Sequence, residues 1–150
     1  EHYKSKLIKA KSTTDLDYIK ATHNGYKKNN VNHIREFKFD KKNKFINIVD
    51  HISLSDSKNH FFEFPLHFHP DVKLKKIEKK RFIAEIEKIG KLEISIKSNF
   101  TLEVIRGQKT PILGWYSNQF YKKTPCSVLY TSGYFNTNTI INTNIKVKKI

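Results

Sequence analysis

The chain has 150 residues, which suits one domain with a single hydrophobic core. Its 29 Lys and Arg residues against 14 Asp and Glu give a net charge of +15, which favours an anionic partner: a nucleic acid, an acidic glycan or an anionic membrane surface. The single cysteine, Cys126, excludes an internal disulfide and an all-cysteine metal site. No stretch is typical of a membrane span or a signal peptide, and the sequence does not distinguish a periplasmic from a cytoplasmic protein.

The kind of basic residue weighs against one of these partners. Only Arg35, Arg81 and Arg106 are arginines, whereas proteins that recognise phosphate favour the planar guanidinium. We therefore expect no specific nucleic-acid binding. A second interpretation stays open, in which the lysines reflect compositional bias and serve only as a soluble surface. The chain has no methionine, so we expect a fragment of a longer protein or a processed chain.

The first third of the chain predicts one lead-in and three strands. Residues 1–14 are polar and lysine-rich without periodicity, and we expect an irregular lead-in before a single β-sandwich domain over residues 15–150. Residues 15–23 predict a first strand, which the turn signal Asn24-Gly25 ends. Residues 31–39 and 45–52 alternate in character and predict a hairpin.

The clearest strand signal is the stretch FFEFPLHFHP at residues 61–70. Because a strand has a period of two, one face carries four large apolar side chains, Phe62, Phe64, Leu66 and Phe68. That face belongs in a core, while His67 and His69 lie on the opposite face. Pro65 cannot donate to a sheet ladder, which favours an edge strand or a bulge.

Shorter segments of alternating character follow, and they complete an all-β pattern. The predicted strands are residues 72–77, 81–87, 91–97, 101–106, 126–135 and 139–147, and residues 107–125 predict a long irregular stretch. The total is about ten short strands with frequent turns and no convincing helix. This spacing predicts an antiparallel β-sandwich.

Two clusters suggest binding chemistry. His67 and His69 share a face, and a neighbouring strand could add His33, so zinc is the one cofactor that the histidines suggest. The alternative, which we favour, is a polar layer of cross-strand hydrogen bonds in which Asp50 pairs with Arg35 and no metal is bound. Otherwise the sequence suggests no cofactor.

The second cluster lies in the long irregular stretch. Trp115 and Tyr116 could stack on sugar rings, with Lys122 and Lys123 supplying charge for an acidic polysaccharide. Alternatively, Trp115 closes one end of the sandwich and has no ligand. Both interpretations remain open at the level of sequence.

The order of several short motifs resembles a known family. These motifs are His23-Asn-Gly-Tyr26, His33-Ile-Arg35, Ile48-Val-Asp50, Leu66-His-Phe-His-Pro70 and Pro111-Ile-Leu-Gly-Trp-Tyr-Ser117. Together they resemble the C-terminal part of heparinase II/III-like proteins, which are polysaccharide lyases and related proteins of bacterial exopolysaccharide loci. The resemblance runs from about residue 15 to residue 135.

The resemblance implies a function for a larger protein. Family members have an α/α toroid followed by a β-sandwich and cleave uronic-acid polysaccharides by β-elimination. Their catalytic Asn and Tyr lie in the toroid, and a His sits early in the sandwich region, which also includes an Arg…His-Asn-Thr motif. This sequence contains no His-Asn-Thr run, so we assign no catalytic residue to this chain. The expected role is support of an upstream catalytic toroid, with contact to an acidic glycan. The alternative is a stand-alone carbohydrate- or protein-binding sandwich.

Overall fold

The computed structural model describes residues 3–148, and nearly all of its regular structure is β-strand. A single 3₁₀ turn, Lys27–Asn29, interrupts the strands. The described residues form thirteen strands: β1 (Ser5–Ser12), β2 (Leu16–His23), β3 (Val31–Asp40), β4 (Phe45–Leu54), β5 (His60–His67), β6 (Lys73–Glu78), β7 (Arg81–Ile86), β8 (Gly90–Lys97), β9 (Thr101–Arg106), β10 (Trp115–Gln119), β11 (Lys122–Pro125), β12 (Ser127–Phe135) and β13 (Thr139–Lys148).

The strands form two facing antiparallel sheets. The larger has eight strands in the order β1-β2-β3-β4-β13-β8-β7-β6, and the smaller has three in the order β5-β12-β9. Strands β10 and β11 form a separate hairpin. The predicted antiparallel β-sandwich is therefore confirmed.

The core lies between the two sheets and draws side chains from both. Phe82, Ile94 and Ile141 of the large sheet are fully buried, and so is Leu129 of the small sheet. Each residue sits on a strand whose alternate side chains point to opposite faces, so one face supplies the core. Burial of this apolar area is the main force that holds the sheets together.

Strand β5 has the face assignment that its sequence predicts. Its burial alternates strictly from His60 to His67, and Phe62, Leu66 and the following Phe68 pack against the buried core. Its outward side chains, including His67, are exposed. As an edge strand of the small sheet, β5 accommodates Pro65 without losing a central ladder bond.

The large sheet extends beyond the small one on the side of β1 and β2. No residue of these two strands belongs to the buried core or packs against it, and β3 contributes only Val31. The inner face of β1 to β3 is therefore uncovered beyond β5. The overhang and β5 together form an open cleft.

Two sequence predictions need correction. The segment predicted as an irregular lead-in forms strand β1, which pairs with β2; residues 1 and 2 lie outside the described residues. All eight β1 residues are exposed, so the strand has no buried face and no hydrophobic alternation. The predicted irregular stretch 107–125 contains the β10–β11 hairpin, held by backbone pairing of Trp115 with Pro125.

Candidate functional site

A row of polar side chains crosses strands β2, β3 and β4 inside the cleft. His23 lies opposite His33 in the register, and Arg35 lies opposite Asp50, so all four side chains share the inner face. His23 Nε2 is 3.2 Å from His33 Nδ1, and His33 Nε2 is 2.6 Å from Asp50 Oδ1. Arg35 Nε donates to the same Asp50 oxygen at 2.6 Å. We call these four residues the polar row.

The hydrogen bonds assign the proton positions along the row. The Gly25 backbone N–H donates to His23 Nδ1 at 3.0 Å, so this nitrogen is an acceptor and the His23 proton is on Nε2. That proton is then donated to His33 Nδ1, which leaves the His33 proton on Nε2, facing Asp50. The row is therefore a directed chain of neutral imidazoles that ends on a carboxylate.

The electrostatics agree with this assignment. Burial is the largest cause that lowers the pKa of His23, and the positive charge of Arg35 acts in the same direction, which favours the neutral form of His23. Burial acts to raise the pKa of Asp50, but the hydrogen bonds from His33 and Arg35 outweigh it, so this pKa lies below its usual value. Asp50 is thus a buried anion held by one cation and one imidazole.

Two groups of the polar row, Asp50 and Arg35, have atoms that could form further hydrogen bonds. Asp50 is 1% exposed, and its Oδ2 has no hydrogen-bond partner. The Arg35 side chain is 45% exposed, and its guanidinium lies 5.3 Å from the centre of the Phe64 ring. Only Nε of this guanidinium bonds to Asp50, so its outer nitrogens can receive an anionic group. The cavity that they border measures about 660 Å³.

Beyond the polar row, the same inner face becomes apolar. Ile19 lies opposite Phe37, Phe37 lies opposite Ile48, and Phe39 lies opposite Ile46. None of these five residues belongs to the core or packs against it, and Ile19 is 45% exposed. We call them the apolar floor. A contiguous apolar surface of this kind marks a contact site.

The structure does not bring the three predicted zinc ligands together. His33 faces the cleft, whereas His67 points outward from the small sheet and is exposed. His69 follows β5, with its Nδ1 3.3 Å from Asp71. Within residues 3–148 no group of three or more His, Cys, Asp or Glu side chains could hold a metal ion. The predicted Arg35–Asp50 pair, by contrast, is confirmed.

The four predicted glycan-binding residues divide between two faces of the β10–β11 hairpin. Trp115 lies opposite Pro125, and Lys123 shares that face, with Nζ 4.5 Å from the centre of the indole ring. Tyr116 lies opposite Thr124, which places Tyr116 and Lys122 on the other face. The Trp115 N–H donates to the Gln108 carbonyl at 2.8 Å, and the side chain is half-buried. Trp115 therefore anchors the hairpin, and Tyr116 is the more accessible ring.

Sequence reasoning missed His23 as a member of the polar row. Its link to His33 depends on the register across the β2–β3 connection, which the seven residues between the strands do not specify. Phe120 and Tyr121, which follow Trp115 and Tyr116 in the predicted aromatic cluster, lie at the hairpin tip and are fully or almost fully exposed. Their aromatic character was visible, but not their exposure.

The fold and the cleft define the class of molecule: a two-sheet antiparallel sandwich with an overhanging large sheet. Residues 3–143 match the family described as "Heparinase II/III-like, C-terminal", and the chain belongs to that family. No curated protein sequence matches it significantly. Within the described residues, no helix is long and apolar enough to cross a membrane.

Solved structures show the same fold at low identity. A heparinase III, the BT4657 gene product, superposes with a TM-score of 0.74 at 14% identity over 97% of this chain. The heparan sulfate lyase HepC from Pedobacter heparinus gives 0.68 at 16% identity over 98%. This chain covers 22% of each of those two chains. Slr1438 from Synechocystis sp. PCC 6803 gives 0.59 at 10% identity over 97% of this chain, which covers 66% of Slr1438.

Proposed function

We propose that this chain is the C-terminal β-sandwich of a polysaccharide lyase that cleaves uronic-acid glycans by β-elimination, and that the sandwich supports the catalytic domain. The observation that carries the proposal is the apolar floor, a partly exposed apolar surface on the inner side of a sheet that lies outside the core. Family membership and the 22% share of the heparinase III chain support the expectation of a larger protein. The floor is the surface on which the rest of that protein would pack.

The polar row explains why such a contact would be specific. It lies beside the apolar floor on the same face, and its Arg35 is half-exposed. A docked domain that covers the floor would bring its own groups up to the exposed guanidinium of Arg35. Charged and polar groups at the rim of an apolar contact select the partner more than they add affinity.

The test is lyase activity of the full-length gene product, followed by the absorbance of unsaturated products from heparan sulfate or alginate. Phe37→Asp places a charge in the middle of the apolar floor, and Tyr134→Asp, at a residue 70% exposed on β12, is the matched control. We expect Phe37→Asp to reduce activity at least tenfold while the sandwich stays folded, and the control to keep it. A full-length product without lyase activity, or equal activity in the two variants, contradicts the proposal.

A second candidate is a stand-alone glycan-binding sandwich. The exposed aromatic tip of the β10–β11 hairpin favours it, because Phe120 and Tyr121 have no covering group and Lys122 follows them directly. The test compares Tyr116→Ala and Trp115→Ala for binding to acidic glycans at physiological salt. A hairpin glycan site predicts that Tyr116→Ala weakens binding without loss of fold, since stacking is not screened by salt. Unchanged binding in these two variants and in the tip variant F120A/Y121A excludes the hairpin as the site.

A further inference from the structure

The solvent face of the large sheet carries an aligned row of lysines on its edge strand. Lys6 lies opposite Thr22, Lys9 opposite Lys20, and Lys11 opposite Tyr18. Side chains that lie directly opposite in an antiparallel pair share a face. Lys6, Lys9 and Lys11 therefore point to the same side, away from the cleft. We call these three residues the lysine row.

A β-bulge is what creates the alignment. Lys6 and Lys9 are three positions apart, so in a regular strand they would point to opposite faces. The register shifts between Leu7 and Lys9, and Ile8 is the extra residue. Bulges commonly redirect side chains at sheet edges. Because of the bulge, all three lysines point to one face. Lys9 and Lys11 are two positions apart, which separates them by about 7 Å along the strand.

The charges of the lysine row are not balanced within the described residues. None of the three lysines forms an ion pair with any residue from 3 to 148. Lys9 faces Lys20 directly, and like charges in that position destabilise a strand pair. Lys20 is itself neutralised by Glu36 at 2.9 Å, so the charge of Lys9 stays uncompensated.

The acidic groups on this part of the face are already occupied. Glu36 accepts hydrogen bonds from Lys20 and from the Tyr18 hydroxyl, which lower its pKa, and it also contacts His51. Asp40, at the end of β3, is bound to the backbone and side chain of Asn43. Neither carboxylate can turn to the lysine row without losing these partners. The lysine row is therefore open to an anionic partner.

We propose that the lysine row binds the acidic groups of an extended anionic polysaccharide that runs along β1. Lysines act as point charges suited to single carboxylate or sulfate groups, and the row contains no arginine to clamp phosphate in two contacts. Binding of single-stranded nucleic acid needs aromatic rings for base stacking. The ring opposite Lys11 is that of Tyr18, and its hydroxyl donates to Glu36.

The same face of the sheet also carries amides on β4 and β13, three and four strands from β1, whose polar atoms suit sugar hydroxyls. Asn47 Nδ2 donates to Asn142 Oδ1 and Asn144 Oδ1, each at 2.8 Å, which links the three side chains. Asn47 lies opposite Lys38, which places the amide group on the lysine side of the sheet. The choice of a uronic-acid glycan as the polyanion rests on the proposed function, whereas the location of the site does not.

The experiment compares two triple variants of the whole chain that lose the same charge. K6S/K9S/K11S removes the lysine row, and K75S/K76S/K79S removes three exposed lysines around β6, at the opposite edge of the sheet. Both lower the net charge by three from +15. All six lysines are exposed, so both variants should fold, which circular dichroism checks.

Binding is measured against heparan sulfate, alginate and a single-stranded oligonucleotide at several salt concentrations. We expect K6S/K9S/K11S to lose at least tenfold in affinity for a glycan at physiological salt, and the control to lose less than threefold. For three lost contacts, the slope of log affinity against log salt should fall by roughly 2, at about 0.7 per contact of a single-stranded polyanion.

Three outcomes overturn the proposal. Equal losses in the two variants mean that overall charge, not the lysine row, attracts the glycan. Full affinity in K6S/K9S/K11S places any glycan site elsewhere. A specific loss for the oligonucleotide alone assigns the row to nucleic acid. None of these readouts involves cleavage or a second domain, so a failed proposed function leaves the result interpretable.

Discussion

Arg35→Ala and Asp50→Asn both disrupt the Arg35–Asp50 pair, but we expect them to lower the free energy of unfolding by different amounts. Arg35→Ala leaves the buried Asp50 carboxylate with only His33, and removing one partner of a buried pair costs about 3–5 kcal/mol. Asp50→Asn leaves Arg35, which is 45% exposed and can be hydrated. Its main cost is a buried amide N–H in the place of the unpartnered Oδ2, about 1–3 kcal/mol. We therefore expect Arg35→Ala to be the more destabilising change by about 2 kcal/mol.

Urea unfolding followed by circular dichroism measures both variants, and equal m-values license the comparison of free energies of unfolding. The pH dependence gives an independent check. The pKa of Asp50 is lowered by folding, so its stabilising contribution is present above the unfolded pKa and is lost as pH falls through the folded pKa. The difference between the parent and Asp50→Asn should narrow in that acidic range. An Asp50→Asn cost equal to or above that of Arg35→Ala would refute the assignment of Asp50 as the desolvated partner.

Three further predictions concern the core, an outer ion pair and catalysis. Phe82→Ala should lower the free energy of unfolding in urea by about 3–5 kcal/mol because Phe82 is fully buried. Phe64→Ala should lower it by less than half of that because Phe64 is half-buried. Equal losses would contradict the position of the core. Hydrogen bonds from Lys148 and Arg81 lower the pKa of Glu93 from 4.5 to about 2. The contribution of Glu93 to the free energy of unfolding is therefore complete above pH 4.5 and is lost as the pH falls through 2. Glu93→Gln should unfold with a flatter pH dependence over that interval, and an unchanged acid titration would contradict the pairing. The chain alone should release no unsaturated product from heparan sulfate or alginate, and turnover by the purified chain would disprove that expectation.

The sequence predicts the strands that have a buried face and misses those that do not. Burial is what produces alternation, and the ten predicted strands correspond to ten of the thirteen observed. The other three, β1, β10 and β11, are almost wholly exposed. Their side chains carry no hydrophobic pattern, and their backbone pairing depends on a neighbour that local sequence does not reveal.

Some residues of the candidate site could be paired from the sequence and others could not. Arg35 and Asp50 could be paired from sequence because a short turn joins β3 to β4 and fixes the register. His23 could not, because a longer connection leaves its register open. Strand parity also explains why His33 and His67 do not come together. The parity that places Phe62 and Leu66 in the core sends His67 outward, whereas the parity of β3 sends His33 inward.

The apolar floor and the lysine row lie on opposite faces of the overhanging part of the large sheet. Strands β1 and β2 carry apolar side chains such as Ile19 on the inner face and the lysine row on the outer face. A sheet is one residue layer thick, so the two surfaces are back to back and do not overlap. A domain docked on the apolar floor would leave the lysine row free, and a polysaccharide along β1 would not displace that domain. We therefore expect the Phe37→Asp loss of lyase activity and the K6S/K9S/K11S loss of glycan affinity to be independent, so the combined variant should show both losses at the size found in the separate variants.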